Sequence, residues 1–131
     1  MSDHVNEVVG AELVTDAVAN ARTNAERNGV DNCTFVSGDL KELFTNEFVD
    51  THGRPDVLVV DPPRAGMHKD VVAQIADLAP DRFVYVSCNP QTQVRDLERL
   101  RDVYRVDAVQ PVDMFPHTPH VENVVRLTRR A

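Results

Sequence analysis

Cysteine is scarce in this sequence, with only Cys33 and Cys88 among 131 residues. Two cysteines cannot build a disulfide framework, and their separation does not match the spacing of zinc ligands. No apolar run approaches the roughly 18 residues that a membrane-spanning helix needs. Residues 1–7 also lack the basic and apolar parts of a secretory signal. These absences favour a reducing compartment, and we expect a cytoplasmic protein with no membrane partner.

Lysine is nearly absent too, since only two of the 14 basic residues are lysine. Against 21 acidic residues, the net charge is −7. This charge disfavours non-specific nucleic-acid binding by the domain as a whole. The arginines cluster locally, at Arg95, Arg99, Arg101 and Arg105, and again at Arg126, Arg129 and Arg130. The simpler interpretation of these clusters is a solvated surface.

Strand and helix patterns alternate along the chain, which predicts one α/β domain with a mostly parallel sheet and an antiparallel edge. The predicted strands are residues 8–13, 33–36, 56–60, 82–87, 104–112 and 121–128. The predicted helices are residues 14–28, 41–48, 70–78 and 92–103. Thr15 is the predicted N-cap of the first helix, and Gly29 lies just past its end. The continuous apolarity of residues 56–60 predicts burial on both faces of that strand.

A glycine-rich loop is also missing near the start. Sheets of this kind bind nucleotides through such a loop after their first strand, and none precedes Val8. We therefore expect the chain to begin inside a domain. The absent strand would leave two apolar edges, at residues 8–13 and 56–60. Unpaired edges invite new partners, so we predict that these strands pair directly or self-associate through the exposed edges.

Reactive side chains lie at the ends of the predicted strands. Cys88 follows one strand, Asp61 and Arg64 follow another, and Glu122 stands at the start of the last one. Open α/β sheets hold their ligands at the carboxyl ends of parallel strands. One thiol and several charged groups in such positions predict an active site.

Other interpretations of the cysteine fit less well. A cysteine phosphatase needs five residues between its cysteine and arginine, whereas six separate Cys88 from Arg95. A metal site built from Cys88, His117, His120 and Glu122 has no recognised zinc spacing, so we predict no metal. The remaining alternative for Cys88 is a buried core cysteine, and this is our interpretation of Cys33.

Three segments resemble the motifs of the uracil-5 methyltransferases, which modify ribosomal and transfer RNA with S-adenosylmethionine. They are Asp61-Pro62-Pro63-Arg64-Ala65-Gly66, Val86-Ser87-Cys88-Asn89-Pro90 and residues 113–122. They occur in the order and spacing of that family, and the resemblance covers residues 8–129. Amino-methylating enzymes share the Asp-Pro-Pro element but carry an aromatic residue where Arg64 stands.

The front of the chain departs from this pattern. The N-terminal RNA-binding barrel of many members, the inserted central domain and the first strand with its glycine-rich loop have no counterpart here. The iron–sulfur cysteines of some members are missing as well. The resemblance thus implies a class I methyltransferase fold of which residues 1–131 are a partial, C-terminal catalytic domain.

The resemblance also implies roles for individual residues. Cys88 is the expected nucleophile, and Glu122 the expected base, although an ordinary edge-strand glutamate is its alternative. The expected substrate-binding residues are Arg64, Asn89 and His117. Arg64 could bind phosphate or orient a carboxylate, and an ordinary surface arginine is its alternative. The expected cofactor-binding residues are Glu12, Asp39 and Asp61.

Each of the three expected cofactor-binding residues also has an interpretation from its position in the chain. An acidic residue at the position of Glu12 binds ribose hydroxyls in nucleotide-binding sheets. Asp39 stands where related folds contact adenine, and a simple turn residue is its alternative. Asp61 lies where the family places a carboxylate at the edge of the cofactor, and it too has a turn as its alternative.

The expected function is methylation of uracil C5 in rRNA or tRNA by S-adenosyl-L-methionine, through a covalent adduct of Cys88 with C6. The chain would act as part of a larger enzyme and be inactive in isolation. The alternative is a non-catalytic truncated module that binds cofactor or RNA.

Overall fold

The computed structural model describes residues 2–131. The chain divides into two compact units, Met1–Gly53 (unit 1) and Arg54–Ala131 (unit 2). No helix of the described residues is both long enough and apolar enough to cross a membrane.

Unit 1 is built around two parallel strands. Its elements are a 3₁₀ turn at Ser2–His4, then β1 (Val8–Glu12), α1 (Thr15–Arg27), β2 (Cys33–Ser37), α2 (Leu40–Leu43) and α3 (Asn46–His52). The register of β1 on β2 runs from Val8 opposite Cys33 to Glu12 opposite Ser37. Because the strands are parallel, the carboxyl ends of both lie at one edge of this small sheet.

The ends of α1 correct one prediction and confirm another. Val14, not Thr15, is the N-cap of α1, and no side chain caps the helix. The Glu12 carboxylate accepts the Val14 N–H instead, at 2.9 Å, and fixes the turn into α1. At the other end, Gly29 has a φ of +63° directly after the C-cap residue, as predicted for a glycine past a helix end.

The single helix predicted over residues 41–48 is two helices. Asp39 caps α2 by accepting the Lys41 N–H at 3.0 Å. Thr45 caps α3 by accepting the Phe48 N–H at 3.3 Å. A second N-cap side chain within one short segment restarts the helix, and this is why the pattern breaks after Leu43.

Unit 2 contains a four-stranded mixed sheet. Its elements are β3 (Val57–Val60), α4 (Lys69–Leu78), β4 (Arg82–Ser87), α5 (Pro90–Leu100), β5 (Tyr104–Val112) and β6 (Glu122–Arg129). The order across the sheet is β3-β4-β6-β5, so the last strand of the chain lies between β4 and β5. β3 is parallel to β4, whereas β6 is antiparallel to both of its neighbours. The predicted α/β architecture with parallel and antiparallel strands is confirmed, but the antiparallel strand β6 lies inside the sheet, next to the edge strand β5.

α5 begins two residues before the predicted start. Asn89 is its N-cap and accepts the Gln91 N–H at 3.2 Å. Pro90 then occupies the first helical position, where a missing N–H costs nothing and the fixed φ suits the helix.

The core of unit 2 lies where α5 packs against β4 and α4 packs against α5. Alternate residues of β4 are buried, with Phe83 and Tyr85 fully inaccessible and Ser87 1% exposed. The helices bury Ile75 of α4 and Leu100 of α5 in the same way.

Two predictions about strand edges have different outcomes. β3 is not buried on both faces, since Val57 is 46% and Val59 41% exposed while Val60 is 6% exposed. The reason is that β3 is an edge strand of its sheet. β1 and β3 belong to different sheets, so direct pairing between them is not found in residues 2–131. Self-association through exposed edges stays a prediction.

Candidate active site

Cys88 lies between the end of β4 and the N-cap of α5, and it is partly buried. The antiparallel register of β4 on β6 ends with Ser87 opposite Asn123. One further step along that register sets Cys88 against Glu122, the first residue of β6. The structure thereby brings together the predicted nucleophile and the predicted base.

A cavity of about 220 Å³ joins these two residues. Its lining side chains all belong to unit 2: Arg64, Cys88, Phe115, Thr118, His120 and Glu122. Sites for drug-sized ligands occupy about 300–1,000 Å³. The cavity is therefore smaller than the usual site for a drug-sized ligand.

Arg64, His120 and Phe115 also line the cavity. The Arg64 guanidinium lies along the His120 ring, with its Nη2 3.3 Å from Nδ1 and its Nη1 3.5 Å from Nε2. A guanidinium only donates hydrogen bonds, and a neutral imidazole has a single acceptor nitrogen, so one of the two ring nitrogens accepts from Arg64, depending on the tautomer of His120. Phe115 adds an aromatic face that is 52% exposed.

The loop after β3 is fixed to the start of α5. The backbone carbonyl of Arg64 accepts hydrogen bonds from Asn89 Nδ2 and Thr92 Oγ1, both at 3.2 Å. The Ser87 hydroxyl accepts the Asn89 N–H at 3.1 Å. Asn89, a predicted substrate-binding residue, thus holds Arg64 and Cys88 in a fixed relation and does not line the cavity.

A buried carboxylate holds the same loop further along. Asp96 of α5 is fully inaccessible. Its Oδ2 accepts the Met67 N–H and the Tyr85 hydroxyl, both at 2.8 Å. Its Oδ1 accepts two bonds from the Arg95 guanidinium, at 2.9 and 3.1 Å. Burial raises the pKa of the Tyr85 hydroxyl well above its usual range, and the hydrogen bond to Asp96 raises it further.

Gly66 makes this close approach possible. Its φ is +82°, and a Cβ on Gly66 would lie only 2.6 Å from Asp96 Oδ2 and 2.7 Å from an Arg95 nitrogen. A side chain at this position is excluded by backbone conformation and by space.

An amide pair fixes the start of β6. Gln93 Nε2 donates to the carbonyls of Tyr85 at 2.9 Å and Asn123 at 3.1 Å. Asn123 Nδ2 donates back to Gln93 Oε1 at 2.7 Å. Gln93 is 1% exposed, so a buried network holds the residue next to Glu122.

The other predicted residues of unit 2 lie outside the cavity. Asp61 is exposed at the carboxyl end of β3, and His117 is exposed in the segment between β5 and β6. His120, Phe115 and Thr118 were not predicted as site residues. The sequence offers one signal for His120. It precedes Glu122 by two residues, and residues two apart in an extended backbone point to the same side.

The predicted residues of unit 1 lie at neighbouring strand ends. Glu12 ends β1 and Asp39 follows β2, and both are exposed. One oxygen of each accepts a backbone N–H within its own turn, which leaves the second oxygen of each carboxylate able to accept from a ligand. Two such acceptors at adjacent parallel strand ends fit the hydroxyl and amino groups of a nucleoside.

The residues that the structure describes include no group of three or more histidine, cysteine, aspartate or glutamate side chains that would hold a metal ion.

Comparison with known proteins assigns the family. The family model described as tRNA (Uracil-5-)-methyltransferase matches residues 1–130. The chain belongs to this family. A protein of Bacteroides thetaiotaomicron described as an uncharacterized RNA methyltransferase is 56% identical over 130 residues, which are 99% of this chain and 29% of the relative. A protein of Porphyromonas gingivalis with the same description is 53% identical and is covered to 28%. The chain thus spans less than a third of these family members.

A solved structure gives the same result. The tRNA (uracil-54, C5)-methyltransferase of Pyrococcus abyssi, in complex with S-adenosyl-L-homocysteine, has a TM-score of 0.80 and is 41% identical. The match covers 93% of this chain and 29% of the Pyrococcus chain. The N-methyltransferase NodS of Bradyrhizobium japonicum, 12% identical with a TM-score of 0.76, shares the fold alone. The predicted family and class I methyltransferase fold are confirmed, and the predicted cofactor agrees with the S-adenosyl-L-homocysteine bound in the Pyrococcus protein.

Proposed function

We propose that this chain carries the catalytic residues for methylation of uracil C5 in RNA by S-adenosylmethionine. The observation that carries the proposal is the meeting of Cys88 and Glu122 in one small cavity of unit 2. The RNA is a transfer or ribosomal RNA, and the activity is that of the natural protein at its full length.

Cys88 supplies the nucleophile. Carbon 5 of uracil is itself a poor nucleophile, and addition of a thiolate to carbon 6 forms an S–C6 bond and moves the electron pair toward carbon 5. Only the thiolate attacks. The N-terminus of α5 begins two residues after Cys88 and favours the negative charge.

Glu122 supplies the base. Carbon 5 then takes the methyl group while it still holds its own proton. Glu122 removes that proton, the C5–C6 double bond forms again and the C6–S bond breaks, which returns Cys88 as the thiolate. Because Cys88 and Glu122 line one cavity, addition at carbon 6 and proton removal at carbon 5 can occur on the same bound uracil.

The cavity also supplies recognition. Chemistry on a base requires that the base leave the stack and enter a pocket, where aromatic side chains cover its face. Phe115 offers that face, and the Arg64 guanidinium offers hydrogen-bond donors to the carbonyl oxygens of uracil. His117 contacts the RNA outside the cavity, from the exposed segment between β5 and β6.

S-adenosylmethionine supplies an electrophilic methyl group when it is bound. In unit 1, Glu12 would accept hydrogen bonds from the ribose hydroxyls, and Asp39 would accept from the adenine. In unit 2, Asp61 is a further proposed cofactor-binding residue, as an exposed carboxylate at the carboxyl end of β3. These carboxylates would bind the cofactor and take no part in bond making.

Trapping with 5-fluorouracil-substituted RNA tests the proposal. The fluorine at carbon 5 cannot leave as a proton, so the reaction stops at the covalent adduct. We expect the full-length protein to form an adduct that survives denaturation and requires both S-adenosylmethionine and Cys88. Absence of an adduct, or an adduct in Cys88→Ala, would contradict the mechanism and favour a non-catalytic binding module. The isolated 131-residue chain is expected to form none.

A further inference from the structure

A second depression, here called the basic depression, shares its loop with the catalytic cavity. It has a volume of about 340 Å³ and lies wholly in unit 2. It is lined by residues 65–67 of the loop, by His68 and Lys69 at the start of α4, and by Arg95 and Arg99 of α5. Nothing in the proposed chemistry uses it.

The charge of the basic depression is opposite to that of the protein. Three of its side chains are cations, in a chain with a net charge of −7. Asp96, the acidic residue nearest to Arg95, is fully buried and already accepts from the Met67 N–H and from Arg95. His68 Nδ1 lies 3.4 Å from Oδ2 of Asp70, which is an acidic group beside the depression.

Two of the cations make no side-chain hydrogen bond or ion pair within the described part of the chain. Arg95 is occupied, since it bonds Asp96 and the Ala65 carbonyl. The side chains of Lys69 and Arg99, in contrast, make no hydrogen bond or ion pair with any residue from 2 to 131. Arg95 and Arg99 stand one turn apart on α5, where like charges repel. An anion in the basic depression would relieve this repulsion.

The backbone adds to this preference. α4 begins at Lys69, so its positive end faces the same region. Backbone N–H groups at the start of a helix attract anions, and the His68 side chain already accepts one of them, the Asp70 N–H, at 3.3 Å. Arginine and lysine together form the usual set of contacts to the phosphates of a nucleic acid.

The basic depression is next to the catalytic cavity along the chain. Arg64 lines the cavity and Ala65 lines the depression, and consecutive Cα atoms are about 3.8 Å apart. We propose that the basic depression binds a backbone phosphate of the RNA strand whose uracil enters the cavity. This inference rests on the proposed function, and it gives the RNA a fixed register on the protein.

Charge removal with a matched control tests the inference. The variant Lys69→Gln/Arg99→Gln removes both unpartnered cations, and Arg82→Gln/Arg101→Gln removes two exposed charges from the same unit outside the depression. Binding of a uridine-containing RNA oligonucleotide to the full-length protein is measured by fluorescence anisotropy over a range of salt concentrations. Thermal melting shows that each variant is folded.

We expect Lys69→Gln/Arg99→Gln to raise Kd about tenfold at low salt, with a loss that is similar across RNA sequences. The slope of log Kd against log salt should fall by about 0.7 for one lost phosphate contact on a single strand. The control should keep the slope of the unaltered protein. Equal Kd and equal slope in the two double variants would overturn the inference.

The trapping assay separates the two proposals. If the unaltered protein forms no Cys88 adduct but Lys69→Gln/Arg99→Gln still weakens RNA binding and lowers the slope, the phosphate site stands and the methylation mechanism fails. If the adduct forms in every variant and requires the same RNA concentration in each, the mechanism stands and the phosphate site fails.

Discussion

The two units of this chain bury their apolar side chains very differently. Among residues 2–131, Val18 is the buried apolar side chain of unit 1, and every other one belongs to unit 2. A sheet of two strands is too small to close a core, whereas four strands with packed helices can. Unit 2 therefore has a packed core that holds side chains in place, whereas unit 1 buries too little for this.

The candidate site residues divide along the same line. Glu12 and Asp39 in unit 1 are exposed carboxylates held by one short turn each. Cys88 and Glu122 in unit 2 stand next to buried networks centred on Asp96 and Gln93. A group that forms and breaks bonds needs near-exact placement, whereas a hydrogen bond to a ligand tolerates more freedom. The comparison supports the proposal that the chemistry is carried by unit 2 and that the carboxylates of unit 1 bind a ligand.

The two cysteines give the largest expected contrast. Cys88→Ala should abolish methyl transfer while the melting temperature changes little, because a side chain at a strand end adds little packing. Cys33→Ala, the matched change in unit 1, should keep the activity of the unaltered protein. Turnover with labelled S-adenosylmethionine measures both. Activity retained in Cys88→Ala together with a large drop in melting temperature would make Cys88 a structural residue.

Two glutamates give the next contrast. Glu122→Gln cannot accept the proton from carbon 5, so methyl transfer should proceed and the covalent adduct with unsubstituted RNA should persist. Glu12→Gln should release product normally but raise KM for S-adenosylmethionine about fivefold, since a neutral acceptor makes a weaker hydrogen bond than a charged one. Denaturing gels show the adduct and initial rates give KM. Product release by Glu122→Gln at the unaltered rate would place the base elsewhere.

These contrasts involve residues that the sequence could identify, because strand-end position and residue type are local properties. Cys88, Glu122 and Arg64 were identified in this way, and all three line the cavity. The part that could not be predicted depends on contacts distant in sequence. The roles of Asp96 and Gln93 follow from bonds to Met67, Tyr85 and Asn123, and no local pattern indicates such a role for a polar residue on a helix.

The fold divides in the same way. Strand positions followed from apolar patterns, but the insertion of β6 between β4 and β5 depends on pairing across the sheet. The exposure of Val57 and Val59 is likewise a property of the edge position of β3. Helix boundaries moved where capping side chains competed, as at Asp39 and Thr45.

Core substitutions give a smaller contrast in stability. Phe83→Ala removes a fully buried ring from unit 2, and such changes cost about 3–5 kcal/mol of unfolding free energy. Val18→Ala in α1 removes two methyl groups, which corresponds to about 1.5 kcal/mol at the usual value per buried carbon. Urea unfolding followed by circular dichroism measures both. A larger loss for Val18→Ala than for Phe83→Ala would reverse the assignment of the core.

The smallest expected effect concerns pH and reports on unit 2 alone. Tyr85 and Tyr104 are the two tyrosines of the chain, and both lie in unit 2. Burial raises the pKa of Tyr104 to about 12, and its hydroxyl donates to the Pro80 carbonyl at 3.0 Å. The pKa of Tyr85 is raised further by burial and by Asp96.

A raised pKa means that the folded state favours the neutral phenol. Its contribution to stability is complete below the unfolded value of about 10 and is lost as pH rises through the folded value. The near-ultraviolet absorbance of phenolate should therefore show no step near pH 10 in the folded protein, and both tyrosines should ionise only as unit 2 unfolds at higher pH. Tyr104→Phe should halve the absorbance change without creating an earlier step. A tyrosine that ionises near pH 10 while circular dichroism still reports the native fold would show that the core of unit 2 is open to water, and the contrast between the units would then lose its physical basis.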